Sequence, residues 1–142
     1  MATNELQMLK QKEFAFEDFE VTLKTRVSKE FKTHQPEWKH TLEVVKNIKR
    51  LVTMEGGKLD ILVCAAYFHE LGHIAVENGT SEFVGKPIYV QRGLVAGQKA
   101  RTILSELSFD PKKTHEVANL LESNNSLELK RAHHVFDWEL NG

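Results

Sequence analysis

The chain has 142 residues, with 19 basic and 20 acidic side chains and a formal charge of -1 at pH 7. That length suits one domain with a real core, and the balanced charge leaves no net field to draw the protein to nucleic acid or to a membrane surface. The single cysteine, Cys64, has no partner for an intramolecular disulfide, and the N-terminus carries no signal-peptide pattern, so a cytoplasmic protein is expected.

Residues 4–33 carry Leu6, Leu9, Phe14, Phe16, Phe19, Val21, Leu23, Val27 and Phe31 among many charges. The pattern predicts one or two amphipathic helices with a break near Phe14–Glu17. Packing into the core is the favoured use of this apolar stripe; a homodimer through the N-terminal helices is the alternative. Pro36 then opens a helix expected to run from Glu37 to Met54, where Gly56-Gly57 stops it. On it His40, Val44, Ile48 and Leu51 recur at intervals of four, four and three, so His40 shares the inward face.

Residues 59–73 read as the central helix, because ten of the first thirteen positions are apolar and fall on every side of a 3.6-residue repeat. The strongly apolar run, Ile61–Phe68, is far shorter than the ~20 residues of a membrane span. Asn78-Gly79 signals a turn, and residues 77–87 read as a loop. From Val90 to Leu107 the pattern is helical again, with Gly93 and Gly97 four apart where another helix can approach closely. Asp110-Pro111 starts the next helix, which Ser123-Asn124-Asn125-Ser126 ends, and a last helix is expected over Leu127–Leu140. No segment alternates apolar with polar, so the fold class is all-α. The expectation is one domain over residues 1–142, of about five to seven helices, with an N-terminal helical segment at 1–33 and a core at 36–140.

The central helix ends in His69, Glu70 and His73, three groups that are costly to bury without partners. A metal ion satisfies imidazole and carboxylate together. One reading takes His69-Glu70-Leu71-Gly72-His73 as the HExxH motif, which looks like that of zinc metallopeptidases: two histidines four apart hold zinc and the glutamate acts as general base. Against it, Val76 and Gly79 stand where an extended motif would place glycine and a third histidine, no strand precedes the helix, and His40 has no role.

A second reading joins His40, His69-Glu70 and Asp137. His40-Thr41-Leu42-Glu43-Val44-Val45, the run Ala65-Ala66-Tyr67-Phe68-His69-Glu70-Leu71-Gly72-His73, Gly97–Leu104 and Phe136-Asp137-Trp138-Glu139-Leu140 together resemble the HD-domain metal-dependent phosphohydrolases. The resemblance spans His40 to Asp137 and implies an HD-like helical bundle. It also implies one divalent ion per chain (Mn, Fe, Zn, Co, Ni or Mg) on His40, His69, Glu70 and Asp137, and hydrolysis of a small phosphorylated substrate such as a nucleotide. Glu70 stands where the family has aspartate; one methylene longer, its carboxylate reaches a metal but holds it in a different place. Gly93 and the Ser123–Asn125 stretch occupy the places of second-metal histidines, so a mononuclear site is implied. Glu70 and His73 are the catalytic candidates, Glu70 as the one that orients water, and His73, Arg92, Lys99 and Arg101 are the candidates for meeting phosphate. An HD-like binding or regulatory domain, its catalysis weakened by Glu70, is the alternative within the same fold. His34, His115 and the doublet His133-His134 read as packing or surface residues, Cys64 as an inert core residue, and Lys112-Lys113 as a solvated face.

Overall fold

A computed structural model describes residues 2–123, with the surroundings of side chains from Ala15 onward. Five helices follow in order: α1 (Ala2–Ser28), a 3-10 turn (Lys29–Phe31), α2 (Gln35–Glu55), α3 (Leu59–Glu77), α4 (Ile88–Glu106) and α5 (Pro111–Ser123). No strand occurs among the described residues, and the all-α expectation holds. The helix expected over Leu127–Leu140 lies outside them, as do the side chains of Leu6, Leu9 and Phe14.

The break expected near Phe14–Glu17 does not occur; α1 runs unbroken for 27 residues. Phe-Ala-Phe-Glu contains neither glycine nor proline, so no residue there opposes the helix. Tertiary packing supports its second half: Phe16 and Phe19 lie against the core, and the Phe19 ring stacks on Phe109 at 4.6 Å between centroids. Leu23, Val27 and Phe31 are fully buried, whereas Val21, on the opposite side, faces water.

Helix α2 ends where Gly56 and Gly57 adopt φ of 82° and 127°, values that only glycine tolerates cheaply. The Asp110 carboxylate caps α5, accepting the backbone N–H of Lys112 at 2.8 Å and of Lys113 at 3.3 Å. Both boundaries were legible as local chemistry.

Helix α3 is enclosed by α2, α4, α5 and, more lightly, α1. Every residue from Ile61 to Phe68 is buried, so an all-round apolar helix has neighbours on all sides. Because α3 continues through Gly72 to Glu77, it is 19 residues long and apolar enough by composition to cross a membrane, a correction to the shorter run read from sequence. More than half of that window is buried by the other helices, which accounts for its composition.

The α3–α4 and α4–α5 contacts are unusually close, and glycines make them so. A Cβ on Gly72 would overlap the carbonyl oxygen of Arg92 and lie 2.7 Å from its carbon; one on Gly93 would lie 2.6 Å from the Leu121 carbonyl oxygen. One on Gly97 would meet the Glu122 side chain at 2.5 Å. The helix expected to approach Gly93 and Gly97 is therefore α5.

Polar ties fix the register. The Tyr67 hydroxyl donates to Glu20 at 2.7 Å, and Lys49 reaches the other oxygen of that carboxylate at 2.7 Å, joining α3, α1 and α2. Burial, helped by the hydrogen bond and charge of Glu20, pushes the Tyr67 phenol well above its usual pKa. Lys113 is not merely a solvated residue: it bonds Asp60 at 2.5 Å and, with Lys58–Glu116, pins α5 to the start of α3.

Candidate metal centre

The spacing that puts His40 with Val44 and Ile48 turns it toward α3, where Val44 and Ile48 are fully buried in the core. Helix α3 carries His69 and Glu70 immediately after the enclosed run, at the point where burial gives way to partial exposure. The side chains of His40, His69 and Glu70 are 25%, 11% and 12% exposed, a polar recess at the end of an apolar helix.

Their donor atoms converge. His40 Nε2 lies 3.5 Å and His69 Nε2 3.4 Å from the same Glu70 oxygen, Oε1. The two imidazoles meet edge-on, with centroids 6.1 Å apart. One ligand atom from each of the three residues lies within 4.8 Å of the others, and among the described residues this is the one such group of three.

A hydrogen bond fixes which nitrogen of His69 faces the recess. Its Nδ1 is 2.6 Å from the Ala66 carbonyl oxygen. A carbonyl only accepts, so Nδ1 carries the hydrogen and the lone pair of the neutral ring sits on Nε2. That places a lone pair opposite a carboxylate oxygen, an arrangement that is repulsive unless positive charge lies between them. Two ligands each about 2.1 Å from a tetrahedral ion stand about 3.4 Å apart, close to the separation of each imidazole nitrogen from the Glu70 oxygen. The backbone-anchored Nδ1 is also the usual outer support of a metal-binding histidine. The three residues thus fit a divalent cation by donor type, spacing and second-nitrogen support.

Charge tells the same story. Burial favours the neutral acid at Glu70; with the surrounding imidazoles protonated, the hydrogen bond and charge of His69 and the charges of His73 and His40 outweigh it and hold the carboxyl down at about 2, and a bound cation acts in the same direction. Glu70 is a carboxylate at any working pH, suited to balance a cation and poorly suited to hold a proton. His73 is pushed below its usual value, first by burial and then by the charges of Arg92 and His69, against the pull of Glu70. It is accordingly neutral near pH 7.

The residues predicted from sequence divide as follows. His40, His69 and Glu70 come together; His73 adjoins them electrostatically but is not part of the donor group. The zinc-peptidase pair His69–His73 is therefore replaced by His40–His69, and the described residues offer no strand to hold a peptide. Lys99 is engaged with Glu30 at 3.2 Å, and Arg101 with Glu122, Asn119 and His115. Among the described residues, Arg92 has no hydrogen-bond partner at its buried Nε. Asp137, His133 and His134 lie outside the described residues. The Ala66 carbonyl was missed by sequence reasoning, although its position three residues before His69 on a helix is the signal that finds it.

The family model described as the HD domain matches residues 38–138, a span running from the start of α2 past α5 and including His40, His69, Glu70 and Asp137. No curated protein and no solved structure matches the chain.

Proposed function

Since the chain belongs to the HD-domain family, we propose that it is a metal-dependent phosphohydrolase acting on a small phosphorylated substrate, with His40, His69, Glu70 and Asp137 holding one divalent ion. The observation that carries this reading is the convergence of two imidazole Nε2 atoms on one carboxylate oxygen, with His69 Nδ1 committed to a backbone carbonyl. When bound, the ion supplies Lewis acidity, lowering the pKa of water to about 7 and offsetting charge on a phosphoryl group.

The chain's own residues do the rest. His40 and His69 present neutral nitrogens, and Glu70 and Asp137 contribute the charge that makes the recess selective for a cation. Glu70, a carboxylate, acts as a ligand and an acceptor that orients water rather than as a proton store. His73, kept neutral by burial, is the group able to accept the proton as water attacks phosphorus, or to return it to the departing alkoxide. In the overall reaction a P–O ester bond breaks, a P–O bond to water forms, and alcohol and phosphate leave.

The test is the metal content of the purified protein by mass spectrometry, with His40→Ala and His73→Ala alongside, followed by a phosphatase assay on p-nitrophenyl phosphate and nucleoside monophosphates. Stoichiometric metal lost in His40→Ala but kept in His73→Ala, with turnover in the wild type, is the expected result. Metal that survives His40→Ala and vanishes in His73→Ala sinks the proposal in favour of the peptidase arrangement. A protein that takes up no manganese, iron or zinc is a binding domain built on the same fold.

A further inference from the structure

Three cations on α4 lie in sequence where a substrate phosphate could be met, and their surroundings separate them. Lys99 is neutralised by Glu30, and the Arg101 guanidinium is held on two sides, by both oxygens of Glu122 at 3.2 and 3.1 Å and by His115 at 3.2 Å. Arg92 differs from both. Its Nε is shut away from water and, among the described residues, has no hydrogen-bond partner. Leaving a charged donor buried and unmet is expensive, and each such group calls for an explanation.

The position of Arg92 is set by backbone rather than by a loose side chain. Gly72, between Glu70 and His73 on α3, lets the Arg92 carbonyl press directly onto the α3 backbone. The guanidinium is close enough to His73 for its charge to act on that ring, and His73 in turn acts on Glu70. An unmet N–H donor and a cation-binding recess therefore belong to one neighbourhood. A guanidinium offers a planar fork of N–H groups matched to two oxygens of one phosphate, and its charge is permanent.

The geometry points to Arg92 as the residue that receives the terminal phosphate of the substrate, the outer N–H groups of its guanidinium, which no described residue engages, donating to non-bridging oxygens. This rests on the phosphohydrolase reading and narrows it to phosphate monoesters, whose terminal group leaves more than one oxygen free for the fork. Lys99 and Arg101, already engaged, take no part.

The experiment titrates inorganic phosphate into the full-length, metal-loaded protein by calorimetry, comparing wild type with Arg92→Gln, Arg92→Lys and Lys99→Gln. Metal content is measured on each, and KM and kcat on p-nitrophenyl phosphate wherever turnover exists. Arg92→Gln is expected to keep its metal, weaken phosphate at least tenfold and raise KM more than it lowers kcat; Arg92→Lys is expected to be intermediate, and Lys99→Gln unchanged. If Arg92→Gln does not fold, Arg92→Lys carries the comparison, since it keeps the charge and loses the fork. Phosphate affinity within twofold of wild type in the folded Arg92 variants overturns the assignment, as does a wild type that binds no phosphate. Phosphate bound through Arg92 by a protein that hydrolyses no ester supports the assignment while refuting the phosphohydrolase reading.

Discussion

Gly72→Ala tests whether the close approach of α3 and α4 is what builds the site. The added methyl would overlap the Arg92 carbonyl oxygen and sit 2.7 and 2.9 Å from its carbon and Cα, all backbone atoms that no rotamer change can remove. Helix α4 must withdraw by on the order of 1 Å, and overpacking of this kind costs about 3 kcal/mol. Alanine is the better helix former by about 1 kcal/mol, which leaves a net loss of about 2 kcal/mol. For a chain of this size that is a fall in Tm of about 6–10 °C. Urea denaturation and a thermal melt of the wild type and variant measure it. Gly97→Ala is the control, because its new methyl meets only the side chain of Glu122, which can swing aside, and it should cost under about 1 kcal/mol. A Gly72→Ala protein within 0.5 kcal/mol of wild type, or a Gly97→Ala protein damaged as severely, refutes the argument that backbone contact at Gly72 sets the α3–α4 distance.

Tyr67→Phe removes a donor to a charged carboxylate while leaving Lys49 on Glu20, and a loss of about 2 kcal/mol by chemical denaturation is expected; no loss would show that Lys49 alone satisfies Glu20. Cys64 is wholly buried and its thiol is pushed up, first by burial and then by Asp60 and Glu20, so a thiol reagent at pH 8 should label it only after denaturation. Because the folded-state pKa is raised, the unfolded thiol alone ionises above its ordinary 9.0, and stability should fall as pH rises through that value. Tyr67 adds to the loss from about pH 10. Cys64→Ala should flatten the first part of this slope, and a slope unchanged in that variant contradicts the assignment. Glu70→Asp shortens the ligand by one methylene; metal affinity measured by competition with a chelator should shift by at least tenfold, and an unchanged affinity would mean that Glu70 does not contact the ion.

Local chemistry carried much of this protein in its sequence. Gly56-Gly57, Asn78-Gly79 and Asp110-Pro111 mark helix ends because each supplies a backbone conformation or a capping group that needs no distant partner. The all-round apolar character of Ile61–Phe68 announced an enclosed helix, and the intervals from His40 to Ile48 announced an inward-facing histidine, since both follow from the helical repeat alone. Tertiary structure decided what the repeat leaves open. The sequence favours His40 over His73 as the partner of His69 only through a resemblance, and it is the packing of α2 against α3 that brings His40 to the same Glu70 oxygen. Likewise, Arg92, Lys99 and Arg101 are three similar cations on one helix until Glu30, from the turn after α1, and Glu122, from α5, engage two of them and leave the third. Spacing along a helix fixes the face on which a side chain stands, but which groups meet across faces depends on how closely the helices pack, here set by the absence of a single methyl at Gly72.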